Sequence, residues 1–442
     1  MEDTIVAIGT AHGVGGVAII RLSGNPLGIA EKMFKPTGKT QVKDFEPYKL
    51  YTGEIDCGGF KDFGMCVYFK APKSYTGEDM IEFHSHGGTA IAEGVVNKAL
   101  SLGARLAGRG EYTKRAFVNG KLSLSSAEGL IDMINSESEG EVKAGYYLYR
   151  EQLKEKIDGF QSKLTYALAQ IEANIDFPEE DLEETAIAEV LSTLTEVKTG
   201  VSDLLKTFSR GSKIKNGVNV SIVGRPNTGK SSLLNRFVGY DKAIVSNIAG
   251  TTRDIVEGTS IINGVRFNFK DTAGIRDSQD AIEKVGISLS LKAIKESDIV
   301  LAVFDATDTL TAEDKELLET IDAERKIIVI NKIDGKSAID LAGDISVSAL
   351  TGENFDKLEE MLYERTVGVS HDKDFLTEKR HYDALKRALA HLDNAVYSVQ
   401  TAPLDLSSID IRSAWSALGE ISGKTASEEI ISEIFAKFCV GK

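Results

Sequence analysis

Cysteine is scarce in this chain: 442 residues hold only Cys57, Cys66 and Cys439, and none stands in a CxxC spacing. Thiols so placed cannot form a disulfide framework, which agrees with a reducing compartment. His84 and His86 have no visible third ligand and therefore read as structural or substrate-contacting groups, so no transition-metal site is expected. Long apolar runs are also missing, since nothing reaches the roughly 18 residues needed to span a bilayer. The opening MEDTIVAIGTAHGVGG carries acidic residues at positions 2 and 3 and no cationic stretch ahead of an apolar one. A cytoplasmic protein with no membrane partner is expected.

Positive charge is in deficit. With 52 Lys and Arg against 67 Asp and Glu, the net charge is −15, which argues against nucleic acid wrapped over a broad surface. Any RNA contact must be local, and the best stretch is 103–121, where Arg105, Arg109, Lys114, Arg115 and Lys121 stand against only Glu111. Such a charge run is usually just a solvated face. Asp176, Glu179, Glu180, Asp181, Glu183 and Glu184 crowd together and would repel a phosphate backbone. The ending Cys-Val-Gly-Lys has the cysteine position of a prenylation signal, but Gly441, Lys442 and the absence of a polybasic run argue against it, so no prenylation is expected.

What the chain does have is an ordered set of phosphate and base motifs. Residues 224–231 read GRPNTGKS, followed by Thr251-Thr252, Asp271-Thr272-Ala273-Gly274 and Asn331-Lys332-Ile333-Asp334. The loop matches GxxxxGKS, and all four motifs in this order spell a GTPase. VNVSIV at 218–223 predicts a strand and Lys230-Ser231-Ser232 the start of a helix, whose free N–H groups and dipole favour phosphate. Gly224 and Gly229 let the backbone wrap the anion, and Lys230 reaches the outer phosphates. Ser231 and Thr252 suit Mg2+, Asp271 can hold the metal through water, and Gly274 would sense the third phosphate. The Asp334 carboxylate matches the N1–H and exocyclic amine of guanine and repels the N1 acceptor of adenine. Ser348-Ala349 after a short strand at 345–347 reads as the fifth loop, where a backbone N–H meets the guanine carbonyl.

A glutamine that orients the attacking water follows the DxxG motif in Ras-like switches, but here Ile275 stands next. Another group must serve, and Asp277, Asp280 and Glu283 are the carboxylates at hand. Solvated loop charges would look the same.

Around this module the periodicity changes. Before about residue 120, short alternating runs at 16–22 and 64–69 predict an antiparallel α+β domain. From about 122 to 210, Ile157, Phe160, Leu164, Leu168 and Ile171, and then Leu191, Leu194, Val197, Val201, Leu204 and Phe208, fall at helical spacing. Leu385, Leu389, Leu392, Val396 and Val399 resume it, followed by Ile411, Trp415, Leu418 and Ile421. One helical domain interrupted by an inserted GTPase is the simplest organisation, because insertion is tolerated where termini lie close together. Two separate bundles are the other reading.

The segments GRPNTGKSSLLN, IVSNIAGTTRD, DTAGIRD, SYTGEDMIEFHSHGG and NIDFPEEDLEE and the ending FCVGK together resemble the MnmE (TrmE) family of tRNA-modification GTPases over the whole chain. The resemblance implies an amino-terminal α+β folate-binding and dimerisation domain at 1–120. It also implies a discontinuous all-α helical domain at 121–215 and 369–442, and an inserted P-loop (Ras-like) α/β GTPase domain at 216–368. It implies a cytoplasmic homodimer that works with a FAD-dependent partner (MnmG, also called GidA) in a heterotetramer, FAD being held by that partner alone. The pair would add an aminomethyl-type group, carboxymethylaminomethyl, to C5 of the wobble uridine of certain tRNAs. The carbon would come from a tetrahydrofolate derivative, 5-formyl- or methylene-tetrahydrofolate. A regulatory GTPase of the ribosome-assembly type would share the GTPase motifs but not the amino-terminal segment.

Residue by residue, the resemblance places GTP on Asn227, Thr228, Gly229, Lys230, Ser231, Ser232, Ser246, Asn247, Ile248, Ala249, Gly250, Thr251, Thr252, Asp271, Thr272, Ala273, Gly274, Asn331, Lys332, Asp334, Ser348 and Ala349. K+ falls to Asn227, Ser246, Ile248 and Thr251, and a monovalent cation there supplies the charge an arginine finger supplies elsewhere. Glu283 matches the family's catalytic glutamate, and folate falls to Arg21, Glu82, Lys121 and Lys442. Lys442 would need the last helix to dock on the amino-terminal domain of this chain or of a partner subunit. Thr228 stands where some members carry Ala. Cys439 follows a predicted helix, 427–438, whose carboxyl end disfavours a thiolate, so a nucleophile and a packed thiol between Phe438 and Val440 both remain open.

Overall fold

The computed structural model describes residues 3–176, 184–239, 258–271, 294–368 and 375–442. They fall into two compact units, one comprising 1–131, 147–195 and 390–442, the other 132–146 and 196–389.

In the first unit, alternating apolar residues build a seven-stranded sheet. Its strands are β1 (Ile5–Ile8), β2 (Gly15–Gly24), β3 (Phe34–Pro36), β4 (Leu50–Asp56), β5 (Lys61–Phe69), β6 (Asp79–Gly87) and β7 (Arg105–Leu106). The order is β3-β4-β5-β6-β2-β1-β7, antiparallel except for the β1 and β7 pair, as the short alternating runs predict. Ala18, Ile20 and Leu22 of β2 and Ile81 and Phe83 of β6 point to one face. There they share a core with Ala30 and Met33 of the helix Leu27–Met33 and with Val95 and Ala99 of the helix Thr89–Ser101. The alternate residues, Arg21, Glu82 and His84 among them, therefore face the other way.

The same unit holds the helix Gln152–Asp176 packed on the helix Leu404–Ser422, with Ile157, Leu164 and Ile171 buried on one and Ile411, Leu418 and Ile421 on the other. Gln161 Nε2 donates to the Trp415 carbonyl at 2.9 Å across this pair. The last helix runs Glu428–Ala436, capped by Ser427, whose hydroxyl accepts from the Ile430 amide. Ile434, Phe435 and Phe438 seat this end of the chain on Leu124 and Ala127.

The second unit is built on a six-stranded sheet in the order β13-β12-β11-β8-β10-β9. These strands are β8 (Val218–Val223), β9 (Gly258–Ile262), β10 (Val265–Asp271), β11 (Ile299–Asp305), β12 (Lys326–Asn331) and β13 (Ile345–Ser346). Only the β9 and β10 pair is antiparallel. β11 reads IVLAVFD, with Ile299, Leu301 and Val303 in one core and Val300, Ala302 and Phe304 in another. A strand buried on both faces needs such an unbroken apolar run. After β8 the chain moves to β9 and β10 on one side, and the later strands lie on the other. This makes the carboxyl ends of β8 and β11 the switch point, where ligands bind in open α/β sheets.

The stretch Leu191 to Phe208, continuous in its spacing, is two helices, Glu184–Lys206 and Phe208–Asn216. Thr207 marks the break: its hydroxyl donates to the Leu204 carbonyl at 2.7 Å and accepts from the Leu376 amide at 3.1 Å.

Candidate functional site

The GRPNTGKS loop leaves the end of β8 and enters the helix Lys230–Val238, as the strand-loop-helix pattern predicts. Two glycines are required by space as well as by backbone. Gly224 has φ +152 and a Cβ there would stand 2.3 Å from the Val303 carbonyl; Gly229 has φ +92 and a Cβ would stand 2.2 Å from Asn331 Nδ2. Asn227 also takes a left-handed backbone, φ +65, a conformation that asparagine tolerates better than most residues. Thr228 Oγ1 and Lys230 Nζ both donate to the Arg225 carbonyl, at 3.0 and 2.8 Å. The loop is thus curled on itself with its lysine turned inward.

Asn331 ties this loop to the base-selecting loop. It lies buried at the end of β12, with Nδ2 donating to the Thr228 carbonyl at 2.9 Å and Oδ1 accepting from the Ala349 amide at 3.0 Å. That amide belongs to the fifth loop, where the sequence led us to expect an N–H for the guanine carbonyl; here it serves Asn331. Ser348 donates its hydroxyl to the Asp334 carboxylate, and Asp334 itself is exposed. Three loops that the motif order predicts to converge are therefore joined through single side chains.

Two contributors escaped the sequence reading. Asp305, at the carboxyl end of β11, accepts Lys332 Nζ at 2.6 Å and the Thr307 amide and hydroxyl. Burial would push its carboxyl up, but these bonds outweigh that and hold it below the usual carboxylate range. Arg225 pairs with Asp308 at 2.9 Å and with Asp314 at 3.0 Å, fixing the loop from outside. A polar cluster, Asp-Ala-Thr-Asp, directly after an apolar strand was the available signal.

Ser246, Asn247, Ile248, Ala249, Gly250, Thr251, Thr252, Thr272, Ala273, Gly274, Asp277, Asp280 and Glu283 lie outside the described residues. Asp271 closes β10, opposite Ile222 of β8. The groups that are described fit a nucleoside triphosphate: a glycine cradle no Cβ could share, a helix start behind it, an inward lysine and an exposed carboxylate on the base side. Ser231, at that helix start, is the described group that would hold a divalent cation.

The same unit carries a buried ionic cluster beside the GTPase sheet. Lys215, next to the start of β8, bridges Asp132 at 2.8 Å and Glu378. Burial, and then the neighbouring Glu378, push the Asp132 carboxyl up to about 7. Arg266 of β10 pairs with Glu137 at 2.6 Å, and the Gly140 amide donates to the Gly264 carbonyl at 2.8 Å. The two ends of the GTPase segment, at Lys215 and Glu378, thus meet at Asp132, and its edge hairpin is pinned to residues 137–140.

A second polar constellation lies in the first unit. Arg21 and Glu82 are directly opposed on β2 and β6, with Nε to Oε1 at 2.6 Å. His84 Nε2 reaches the other oxygen of Glu82 at 3.4 Å. The end of the chain completes the group: Arg21 Nη1 approaches the Gly441 carbonyl at 3.5 Å, and burial, then the charge of Arg21, lower the Lys442 ammonium pKa. The seat is tight, since Gly441 has φ +98 and a Cβ would stand 2.1 Å from the Ile8 carbonyl. The Gly110 amide also donates to the Cys439 carbonyl at 3.3 Å. The tail therefore docks on the sheet of its own chain. Guanidinium, ammonium and carboxylate together suit a ligand with both an anionic group and paired N–H donors.

Other groups named from the sequence lie as follows. Lys121 joins this group through no hydrogen bond or ion pair among the described residues; its Nζ donates to the Pro72 carbonyl at 3.0 Å. Cys439 is exposed, and of its two neighbours Phe438 is buried while Val440 is not, so the packed-thiol reading fails. Two of the five basic residues of the 103–121 stretch are spent on internal ion pairs. Arg105 pairs with Asp3 and Glu111, both at 2.7 Å, and Arg115 pairs with Asp3, Glu78 and Glu111 at 2.8, 3.0 and 3.1 Å. Burial would push Glu111 up, but Arg105, the Gly108 amide and Arg115 hold it at about 2. Arg109, Lys114 and Lys121 are what remains of that stretch for a phosphate.

A phosphate loop bound to a base-selecting loop at the switch point of a mainly parallel sheet defines a P-loop GTPase. Its flanking segments narrow the class. A family model described as "GTP-binding protein TrmE N-terminus" matches residues 4–121, and one described as "MnmE helical domain" matches residues 124–439. The "tRNA modification GTPase MnmE" of Streptococcus pneumoniae (strain Hungary19A-6) is 40% identical over 453 residues, covering 100% of this chain and 99% of that protein. The protein of the same name from Acetivibrio thermocellus is 39% identical over 459 residues, with 100% and 99% covered. The chain belongs to the MnmE (TrmE) family of tRNA modification GTPases. Among solved structures, a variant of Aquifex aeolicus Era bound to GDP.AlF4- aligns with 39% of this chain and 67% of its own at 28% identity, with a TM-score of 0.27. No helix among the described residues is long and apolar enough to cross a membrane.

Proposed function

We propose that this chain hydrolyses GTP as one half of a tRNA wobble-uridine modification system. The observation that carries the GTPase part is Asn331, bonded to both the phosphate loop and the fifth loop. Membership of the family, with its amino-terminal match at residues 4–121, favours tRNA modification over ribosome assembly.

In this reading Lys230 and the amides of the loop and helix start take the phosphates, and Asp334 takes the guanine edge. Ser231 and Thr252 would hold Mg2+, which would supply charge neutralisation to the phosphates. Asn227, Ser246, Ile248 and Thr251 hold K+. Glu283 orients the attacking water in place of the glutamine that Ile275 replaces.

The amino-terminal domain, residues 1–120, binds a tetrahydrofolate derivative through Arg21, Glu82 and Lys442 and makes the homodimer. Lys121 joins them as a folate contact, since its ammonium carries three N–H donors and the Pro72 carbonyl takes one. The helical domain comprises 121–215 and 369–442, and the GTPase domain 216–368. The FAD-dependent MnmG/GidA-type partner completes the aminomethyl transfer to C5 of the wobble uridine. Purified protein should turn over GTP about tenfold faster or more in K+ than in Na+ at equal ionic strength. Equal rates would remove the cation cage from this reading.

A further inference from the structure

We propose that His86, held by Asp62, is a further contact for the reduced folate that Arg21 and Glu82 engage, with Asp62 as its positioning residue. The inference rests on the folate reading above and adds a group to that site.

The side-chain period of β6 puts Glu82, His84 and His86 on one face while Ile81 and Phe83 enter the core. Glu82 is joined to Arg21 on one side and to His84 on the other, so the polar row runs along the strand toward His86. At strand spacing Glu82 and His86 are about 13 Å apart, a span that an elongated ligand of pterin, aminobenzoyl and glutamyl parts covers. Across β2, Val17 stands opposite His86 and Ile19 opposite His84, so this flank of the row is apolar and suits the rings of such a ligand.

His86 is held in an unusual way for a surface histidine. Its side chain is 67% exposed, yet Asp62, whose side chain is only 8% exposed, grips it twice. Asp62 Oδ1 lies 2.7 Å from Nδ1, and Oδ2 accepts the His86 backbone amide at 2.9 Å. Burial would push the Asp62 carboxyl up, but the bonds from His86 outweigh it and hold it low, so it is an acceptor. A carboxylate can only accept, so Nδ1 carries the hydrogen and Nε2 is the ring nitrogen left for a ligand. Nε2 makes no hydrogen bond among the described residues. It accepts from the ligand when the ring is neutral and donates when the ring is protonated. Fixing an exposed ring by one oxygen of a buried carboxylate, whose other oxygen holds the backbone amide, limits the loss of side-chain freedom on binding.

The test is calorimetric titration of the full chain with 5-formyl-tetrahydrofolate, comparing wild type with Arg21→Ala, His86→Gln, His86→Ala and Asp62→Asn, and melting each variant. Loss of binding in Arg21→Ala, with affinity about tenfold lower in both His86 variants at unchanged melting, is the expected result. Asp62→Asn should weaken binding similarly, because its amide can donate toward Nδ1 and swap the ring tautomer. In parallel, the His86 ring proton resonance, assigned by its absence in His86→Gln, should shift when the ligand is added. Full affinity in both His86 variants, or an unmoved resonance, while Arg21→Ala loses binding, would overturn this proposal and leave the folate site standing. Failure of the wild type to bind would remove the folate reading and this proposal together.

Discussion

Asn331 donates to the carbonyl of Thr228 at 2.9 Å, so the residue that opens the base-selecting loop also holds the turn of the phosphate loop just before Gly229. The same amide leaves no room at Gly229, where a Cβ would stand 2.2 Å from it. The GRPNTGKS loop and the loop at Ala349 are tied together through one buried side chain.

Replacing Asn331 with Ala therefore strands the Thr228 carbonyl and the Ala349 amide. We expect GTP affinity to fall about tenfold or more and stability by about 2 kcal/mol, with fluorescent-nucleotide titration and melting as readouts. Gly229→Ala should abolish nucleotide binding with a smaller loss of stability, because the clash is local to the loop. Nucleotide affinity unchanged in both variants would contradict the coupling.

Glu283→Ala should leave GTP affinity within about threefold of wild type and reduce hydrolysis by about a hundredfold or more, as expected for a group that acts on the attacking water. Single-turnover hydrolysis separates the two effects. If Glu283→Ala retains full turnover, Asp277 and Asp280 become the candidates.

The buried cluster at Lys215 gives a pH signature. The Asp132 carboxyl rises from its ordinary 3.8 to about 7, so near neutral pH the folded state takes up a proton there that the unfolded state does not. Stability from this group is full below about pH 4 and is lost as the pH rises through about 7. Asp132→Asn removes the titration, so its melting temperature should gain steadily on wild type from about pH 4 to about pH 8. Parallel profiles would show that Asp132 titrates normally.

Much of the second unit was legible because its chemistry is contiguous. GRPNTGKS sits on one strand, loop and helix start, and the apolar run IVLAVFD of β11 announces a strand buried on both faces. Contacts distant in sequence were less so. Nothing near Arg105 or Arg115 foretold that Asp3 and Glu78 would neutralise them, because those carboxylates arrive through sheet pairing. The pairing of Arg21 with Glu82 depends on strand register for the same reason. The break at Thr207 escaped the helical period because apolar spacing continues through it, while a hydroxyl bonded to the Leu204 carbonyl ends the helix. Gly441, by contrast, could be read only in three dimensions, where the Ile8 carbonyl excludes any side chain.

Whether this GTPase acts in wobble-uridine modification is decided by mass spectrometry of tRNA nucleosides. Cells lacking the protein should lose the C5 aminomethyl-type uridines and regain them when the wild-type chain is restored, but not when Gly229→Ala is supplied. An unchanged nucleoside profile in cells lacking the protein would show that the GTPase serves another process.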